Sequence, residues 1–428
     1  MAAPADVLRT AVERYVDLHA HPELSGAERR TASLLAGWLE AEGCEVLRGL
    51  GRPPAPPDST DPSGPTGPTD PAGHGVAGVL RNGDGPTVLL RAELDALPVA
   101  ERTGLRYASR VPGVMHACGH DLHLAALAGA ATVLARERDA WSGTLVLLGQ
   151  PAEETLEGAR ALLADGLYDR VPVPDVVLAQ HCAPLPAGTL AHARGPLLAG
   201  SRTLEVTLHG RGGHAGTPQL AVDPVVAAAA TVMRLQAVVS RETSPAEQAV
   251  LTVGRLRAGD QANVIPAHAE LGITLRAFTE EALDRMTAAV ERVVRAESAA
   301  SGCPAEPEIR RGPSSPVLAA DPALARAVHT AQAARLGAAR MGDWPGGMAT
   351  EDFPWLGADG AALHGHGAIR SVYWMLGTVG AAQWREAAAP GAEPLPANHS
   401  AHYAPDVRTA LPTGIEALAD AARCAFTE

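Results

Sequence analysis

Nine residues, MHACGHDLH at 115–123, bring one cysteine, three histidines and an aspartate together in a chain that has only 5 cysteines. Cys118 and His120 lie two apart. On a helix they would point to opposite sides, but from a loop they can converge, and Gly119 between them permits a tight backbone. A thiolate and an imidazole offered from one turn make half of a site for a soft or borderline divalent ion. Two other readings stay open on these residues alone. A free cysteine is often a small core residue, and a thiol beside an imidazole is also the arrangement of a cysteine nucleophile. Asp121 is the natural N-cap of the helix that follows.

Further ligand-type residues stand where apolar runs end. TLVLLGQ, 144–150, leads into Pro151-Ala152-Glu153-Glu154, and DVVLAQ, 175–180, ends at His181. An acidic pair is usually a solvated loop, and a lone strand-end histidine is usually a surface residue. Successive side chains point different ways, however, so one carboxylate can hold a metal while its neighbour faces substrate as a base. Metal-assisted hydrolysis needs that division.

The elements that must position these residues read as an α/β layered domain. Residues 6–42 carry apolar positions at helical spacing, interrupted by HAHPELS and stopped at Gly43. VLLRAEL (88–94), TLVLLGQ and DVVLAQH are short continuous apolar runs of the kind that form buried parallel strands, and 121–137 is an alanine-rich helix. From about residue 200 the order becomes strand, helix, strand, strand, helix, strand, which is the ferredoxin-like unit. Asp223-Pro224 and Thr279-Glu280-Glu281 mark its helix starts. The spacing thus predicts a first part at 1–199, a small α+β domain at 200–311, and completion of the first domain by 312–428. Residues 52–73, RPPAPPDSTDPSGPTGPTDPAG, are so rich in Pro, Gly, Ser and Thr that a mobile surface insertion is expected.

Composition closes several alternatives. The 428 residues are enough for two or three domains, and a net charge of -13 opposes a nucleic acid or an anionic membrane as partner. No apolar run reaches the length of a membrane span. The N-terminus lacks a basic stretch followed by an apolar one, and the cysteines at 44, 118, 182, 303 and 424 are odd in number and scattered. A cytoplasmic protein without a disulfide framework is expected. GHGVAG, 73–78, fits the glycine pattern of a dinucleotide turn but leads into strands rather than a helix, so a plain turn is expected. His19-Ala20-His21 interrupts a helix rather than ending a barrel strand, and no serine elbow or HExxH helix occurs.

Taken in order along the chain, HPELSGAE (21–28), RAELDALPV (91–99), MHACGHDLH, GQPAEE (149–154), AQH (179–181), GRGGHAGTP (210–218), NVIP (263–266), TEDF (350–353) and HSAHYAPD (399–406) resemble the amidohydrolase branch of the aminoacylase and carboxypeptidase superfamily, metallopeptidase family twenty. That branch includes hydrolases of hippurate and indole-acetyl-amino acids and deacetylases of N-acetyl amino acids. The resemblance implies a mixed-sheet α/β catalytic domain with an inserted ferredoxin-like domain that acts as lid and dimerisation module. It implies two divalent ions, Zn, Mn, Ni or Co, held by Cys118, His120, Glu154, His181 and His399, with Glu153 as general base. It also marks His214, presented to a partner subunit, as the oxyanion stabiliser, and Asn263 and Arg276 as contacts of the substrate carboxylate. The implied reaction is hydrolysis of an N-acyl amino acid by a homodimer. A metallo-dipeptidase or carboxypeptidase, or a metal-binding dimer without catalysis, are the competing outcomes. Two positions depart from the branch pattern: Glu93 stands where aspartate is usual, and Gln219 where histidine is common.

Overall fold

The computed structural model describes residues 3–52 and 73–428, so most of the Pro- and Gly-rich segment expected as a mobile insertion, residues 53–72, lies outside the described residues. The chain forms two compact units. The larger comprises Met1–Leu197, Ala319–Pro345 and Asp352–Glu428; the smaller comprises Leu198–Leu318 with Gly346–Glu351.

In chain order the larger unit begins with α1 (Ala5–Ala20), α2 (Arg29–Ala41), β1 (Glu45–Leu50), β2 (Gly75–Asn82), β3 (Thr87–Glu93), α3 (His120–Arg136), β4 (Gly143–Gln150), β5 (Val176–Pro186) and β6 (Leu190–Ala193). The smaller unit holds β7 (Gly200–His209), α4 (Pro224–Glu242), β8 (Ala249–Arg257), β9 (His268–Ala277), α5 (Glu280–Ala300) and β10 (Glu308–Ser315). The chain then returns to the larger unit with α6 (Pro322–Leu336), β11 (Met341–Trp344), β12 (Arg370–Val379) and α7 (Val407–Ala425).

The larger unit is built on a mixed eight-stranded sheet in the order β1-β2-β4-β3-β5-β12-β6-β11. Its centre, β4-β3-β5-β12, is parallel, while β1, β2 and β6 add antiparallel pairings. The central strands are continuous apolar runs because both faces are covered. Every residue of α3 from His120 to Leu134 is buried. Such a helix needs small side chains on the faces where neighbours approach, and the sequence LAALAGAATVLA supplies them. At Gly129 a Cβ would stand 2.6 Å from Ile415 Cδ1 of α7, so the two helices touch where α3 has no side chain. The start of α3 is thereby held at a fixed depth.

The smaller unit is an antiparallel sheet in the order β8-β9-β7-β10 with two helices, the ferredoxin-like arrangement. Its helix starts are capped as the sequence indicates: Asp223 accepts from Val225 N at 2.9 Å and Thr279 Oγ1 from Ala282 N at 3.1 Å.

Three local expectations are corrected. Asp121 is not the N-cap of α3; Gly119 is, at φ 89°, and His120 already begins the helix. The left-handed turn is open to glycine, and it frees the Asp121 carboxylate to bond His19 instead. His181 does not end its strand, because β12 pairs alongside β5 as far as Pro186. GHGVAG is not a turn: Gly75 to Gly78 lie inside β2, paired on both edges. The five cysteines are free thiols, and among the described residues no helix is long and apolar enough to cross a membrane.

One buried group makes the larger unit acid-sensitive. His192 on β6 donates from Nε2 to Gln332 Oε1 at 2.7 Å, and burial pushes its pKa down to about 4. Below its ordinary pKa of 6.5 the unfolded chain binds a proton that the folded chain does not, so stability falls as pH drops from about 6.5 towards 4. Urea midpoints measured across this range should fall for the native chain and fall less steeply in His192→Gln, where buried His116, pushed down to about 4 as well, still contributes. The difference should reach about 3 kcal/mol at the acid end.

Candidate metal centre

Four segments of the larger unit meet beyond the end of β3. The turn before α3 brings Cys118 and His120, the loop after β4 brings Glu153 and Glu154, β5 brings His181, and the loop before α7 brings His399. Cys118 Sγ lies 3.4 Å from His181 Nε2, and His399 Nε2 lies 3.3 Å from Glu154 Oε2. His120 Nε2 stands 3.8 Å from Glu153 Oε2 and 3.9 Å from Glu154 Oε1. Among the described residues, ligand-type atoms fall within 4.8 Å of one another in several sets, three of which are made of these residues alone: Cys118, His120 and His181; Cys118, Glu154 and His399; and His120, Glu153 and Glu154.

The hydrogen bonds around two of these imidazoles, buried His120 and half-buried His181, decide what they can do. His120 Nδ1 donates to the backbone oxygen of Asp95 at 2.9 Å, and His181 Nδ1 donates to the oxygen of Cys182 at 2.8 Å. Each ring therefore keeps its proton on Nδ1 and presents the Nε2 lone pair to the cluster. Metal-ligating histidines characteristically show this outward bond to a carbonyl. His120 Nε2 is buried with no hydrogen-bond partner among the described residues, a position that costs free energy unless something accepts its lone pair. Burial also pushes the Cys118 thiol up to about 12. It ionises at neutral pH only against a cation, as a metal-ligating thiol does. The donor set of sulfur, imidazole and carboxylate thus fits a pair of divalent ions.

The supporting shell carries backbone strain. Ala152 and Leu156, which flank the glutamate pair, have φ of 52° and 58°, and His399 has φ of 69°. Such conformations cost roughly 1–3 kcal/mol each outside glycine and persist where surroundings over-determine them. Two buried carboxylates do so here: Glu28 Oε1 accepts from Ala152 N at 2.9 Å, and Asp95 Oδ2 accepts from Glu154 N at 3.0 Å. Glu28 is itself pushed up to about 7 by burial and then by Asp95. His399 is fixed by its N–H to the oxygen of Ala117 at 2.8 Å. Its neighbour Asn398 donates from Nδ2 to the oxygens of Cys118 and Cys182 at 3.1 and 3.3 Å.

Sequence reasoning missed Asn398 and did not single out Glu28 or His123. Glu28 could have been found from its place in HPELSGAE. Nothing local marks Asn398, whose partners are more than two hundred residues away in sequence.

The remaining site candidates belong to the smaller unit. His214 and Asn263 are neighbours, since His214 pairs with Val264 and Ala215 N donates to the oxygen of Asn263 at 3.1 Å. His214 is exposed, and its Nδ1 accepts from Gly216 N at 2.9 Å. Its proton is therefore on Nε2, the reverse of His120 and His181, which makes it a donor rather than a ligand. Arg276, half-buried, donates from Nη1 to the oxygen of Met348 at 2.6 Å. It lies eight residues from His268 along β9, about 27 Å in an extended strand, and so at the other end of the unit from the His214 turn. Gln219 sits on an exposed 3-10 turn near His214.

Residues 89–383 match the family model described as peptidase family M20/M25/M40. The N-acetylcysteine deacetylase of Bacillus subtilis strain 168 is 37% identical over 375 residues, 87% of this chain and 89% of that protein. The IAA-amino acid hydrolase ILR1-like 2 of Arabidopsis thaliana is 37% identical over 287 residues, covering 67% of this chain and 60% of that one. Among solved structures, a Bacillus subtilis protein described as a dinuclear metal binding peptidase from the M20 family superposes with a TM-score of 0.73. It is 29% identical, with 99% of each chain covered.

Two outcomes follow from the geometry. Metal uptake by the metal-free protein should release the Cys118 proton, so affinity should rise with pH between about 6 and 9. Calorimetry in buffers of different ionisation enthalpy reads this release, and Cys118→Ala should lower it. A Cβ at Gly119 would stand 2.9 Å from Cys182 Sγ and 3.0 Å from the Tyr403 hydroxyl. Gly119→Ala should therefore weaken metal binding and lower the melting temperature together.

Proposed function

The chain belongs to peptidase family M20/M25/M40 and is a hydrolase of amide bonds, and from that premise we propose that it removes the acyl group from the nitrogen of N-acyl amino acids in a metal-dependent reaction. The observation that carries this reading is the convergence of the His120 and His181 Nε2 lone pairs with Cys118 and Glu154 beside a second, buried carboxylate, Glu153. Cys118, His120, Glu154, His181 and His399 would hold two divalent ions, with Zn, Mn, Ni and Co all compatible with the mixed donors. Bound there, the ions would polarise the substrate carbonyl and acidify a water.

The chain's own residues then do the following. Glu153 takes a proton from the attacking water as its oxygen adds to the acyl carbon, and gives that proton to the amide nitrogen as the carbon–nitrogen bond breaks. The products are a carboxylic acid and a free amine. His214, with its proton on Nε2, donates to the carbonyl oxygen as negative charge grows there. Arg276 of one chain, with the Asn263 that accompanies His214 from the other chain of a dimer, binds the carboxylate of the amino acid.

The separation of His214 from Arg276 along β9 supports a homodimer in which each chain lends His214 to its partner's site. Val226 and Met233, seven residues apart on one face of α4, are 62% and 73% exposed, and β8 is an edge strand. These features support the smaller unit as the dimerisation surface. Five free thiols are consistent with a reducing, cytoplasmic setting.

A panel of N-acetyl, N-benzoyl and longer N-acyl amino acids, run beside free dipeptides after metal reconstitution, tests the proposal. Acyl amino acids should be cleaved and chelator should stop it; faster cleavage of dipeptides would make the chain a dipeptidase. Glu153→Gln should lower kcat by about 10²–10⁴ with metal content unchanged. Mixed with His214→Ala, it should recover roughly a quarter of native activity by random assortment if the site is shared between chains, and none if it is not.

A further inference from the structure

His123, the third histidine of MHACGHDLH, is fully buried one turn after His120 on α3, and neither of its nitrogens faces the ligand cluster unengaged. Cys182 N donates to His123 Nε2 at 2.8 Å. Only a lone pair can accept that bond, so the ring proton is on Nδ1, which donates to Glu93 Oε2 at 2.7 Å. The other oxygen of Glu93 takes Arg91, buried beside it. Arg91 reaches on to Gln150 Oε1 at 3.0 Å and Asp352 Oδ1 at 3.1 Å, and Asp352 Oδ2 accepts from Ala159 N at 2.8 Å. The links from His123 to Asp352 are all buried.

The far end of this chain of contacts bears on His181. β5 pairs with β3 only as far as Leu178, while its pairing with β12 continues to Pro186. Past Leu178 the backbone of β5 has lost one strand partner, and a buried N–H left unpaired costs about 1–3 kcal/mol. His123 supplies the partner at Cys182. The carbonyl of the same residue, Cys182, is what holds the Nδ1 proton of His181.

We propose that His123 is a positioning residue, with Glu93 and Arg91 behind it, that fixes the Cys182 backbone and through it the aim of the His181 imidazole. This rests on the reading of His181 as a metal ligand. It also gives Glu93 a reason: from the end of β3 its longer side chain reaches His123 and Arg91 at once, where aspartate would be one methylene short. The competing role is ligation, since ligand-type atoms of Glu93, His120 and His123 lie within 4.8 Å of one another. Both ring nitrogens of His123 are already engaged, which speaks against it.

Cobalt titrated into the metal-free full-length chain, against a chromophoric chelator, and hydrogen exchange at the Cys182 amide together test the proposal. In His123→Leu the Cys182 amide should exchange faster, and both cobalt equivalents should remain while one weakens about ten- to a hundredfold. His123→Gln, whose Oε1 can accept from Cys182 N, should restore amide protection and affinity, and it carries the test if the leucine variant does not fold. Loss of a whole cobalt equivalent in both variants would make His123 a ligand and overturn the proposal, as would unchanged exchange and affinity in His123→Leu. If the native chain takes up no cobalt, the ligand reading of His181 fails, whereas the amide exchange still decides the His123 contact by itself.

Discussion

A thiol, two carboxylates and the lone pairs of two imidazoles face one another at the end of β3, an arrangement that a cation between them would stabilise. Electron-rich donors brought within 4.8 Å of one another and taken out of water repel, and neighbours such as Asn398 and His399 return only part of the hydration they lose. The rest of the larger unit has to hold this set together against that repulsion. A buried helix seated by Gly129 against Ile415, a sheet that continues past its natural partner, and loops in left-handed conformations all meet the same requirement.

The means of holding it are mostly carboxylates and carbonyls one step removed from the ligands. Asp95 takes the His120 proton on its backbone oxygen while its carboxylate holds the Glu154 N–H and the Ser25 hydroxyl, so two candidate ligands from distant segments are tied to one residue. Glu28 and Asn398 do the same for the glutamate loop and the Cys118 turn. These bonds also set tautomers. His120 and His181 are made acceptors at Nε2, and His214 is made a donor there, by nothing more than which neighbour each Nδ1 meets. Identical side chains are thereby given opposite hydrogen-bonding character at Nε2, two as acceptors and one as a donor.

The departure at Glu93 belongs to the same logic. An acidic residue at the end of β3 is buried among Arg91, His123 and the Asp352 network, where a lone carboxylate would be costly to ionise. The Arg91 guanidinium and the nearby imidazoles outweigh burial and hold its pKa well below the ordinary carboxylate range. The outcome is a charged, fully bonded cluster beneath the ligands, which suits positioning better than proton transfer.

The sequence by itself determined the layered α/β class, the ferredoxin-like order of the smaller unit with its caps at Asp223 and Thr279, and the chemical types gathered as candidate ligands. Those are carried by local periodicity, by capping geometry and by short motifs whose residues are neighbours in the chain. It misplaced the cap of α3, the extent of β5 and the character of GHGVAG, because each depends on a partner elsewhere: the left-handed Gly119 pressed against Cys182 and Tyr403, the pairing with β12, and the pairings with β1 and β4. Only the tertiary structure decided which nitrogen of each histidine carries the proton, and which residues, Asn398 and His123 among them, hold the candidate ligands in place. Hydrogen bonds between segments as much as 280 positions apart fix those choices, and no local pattern encodes them.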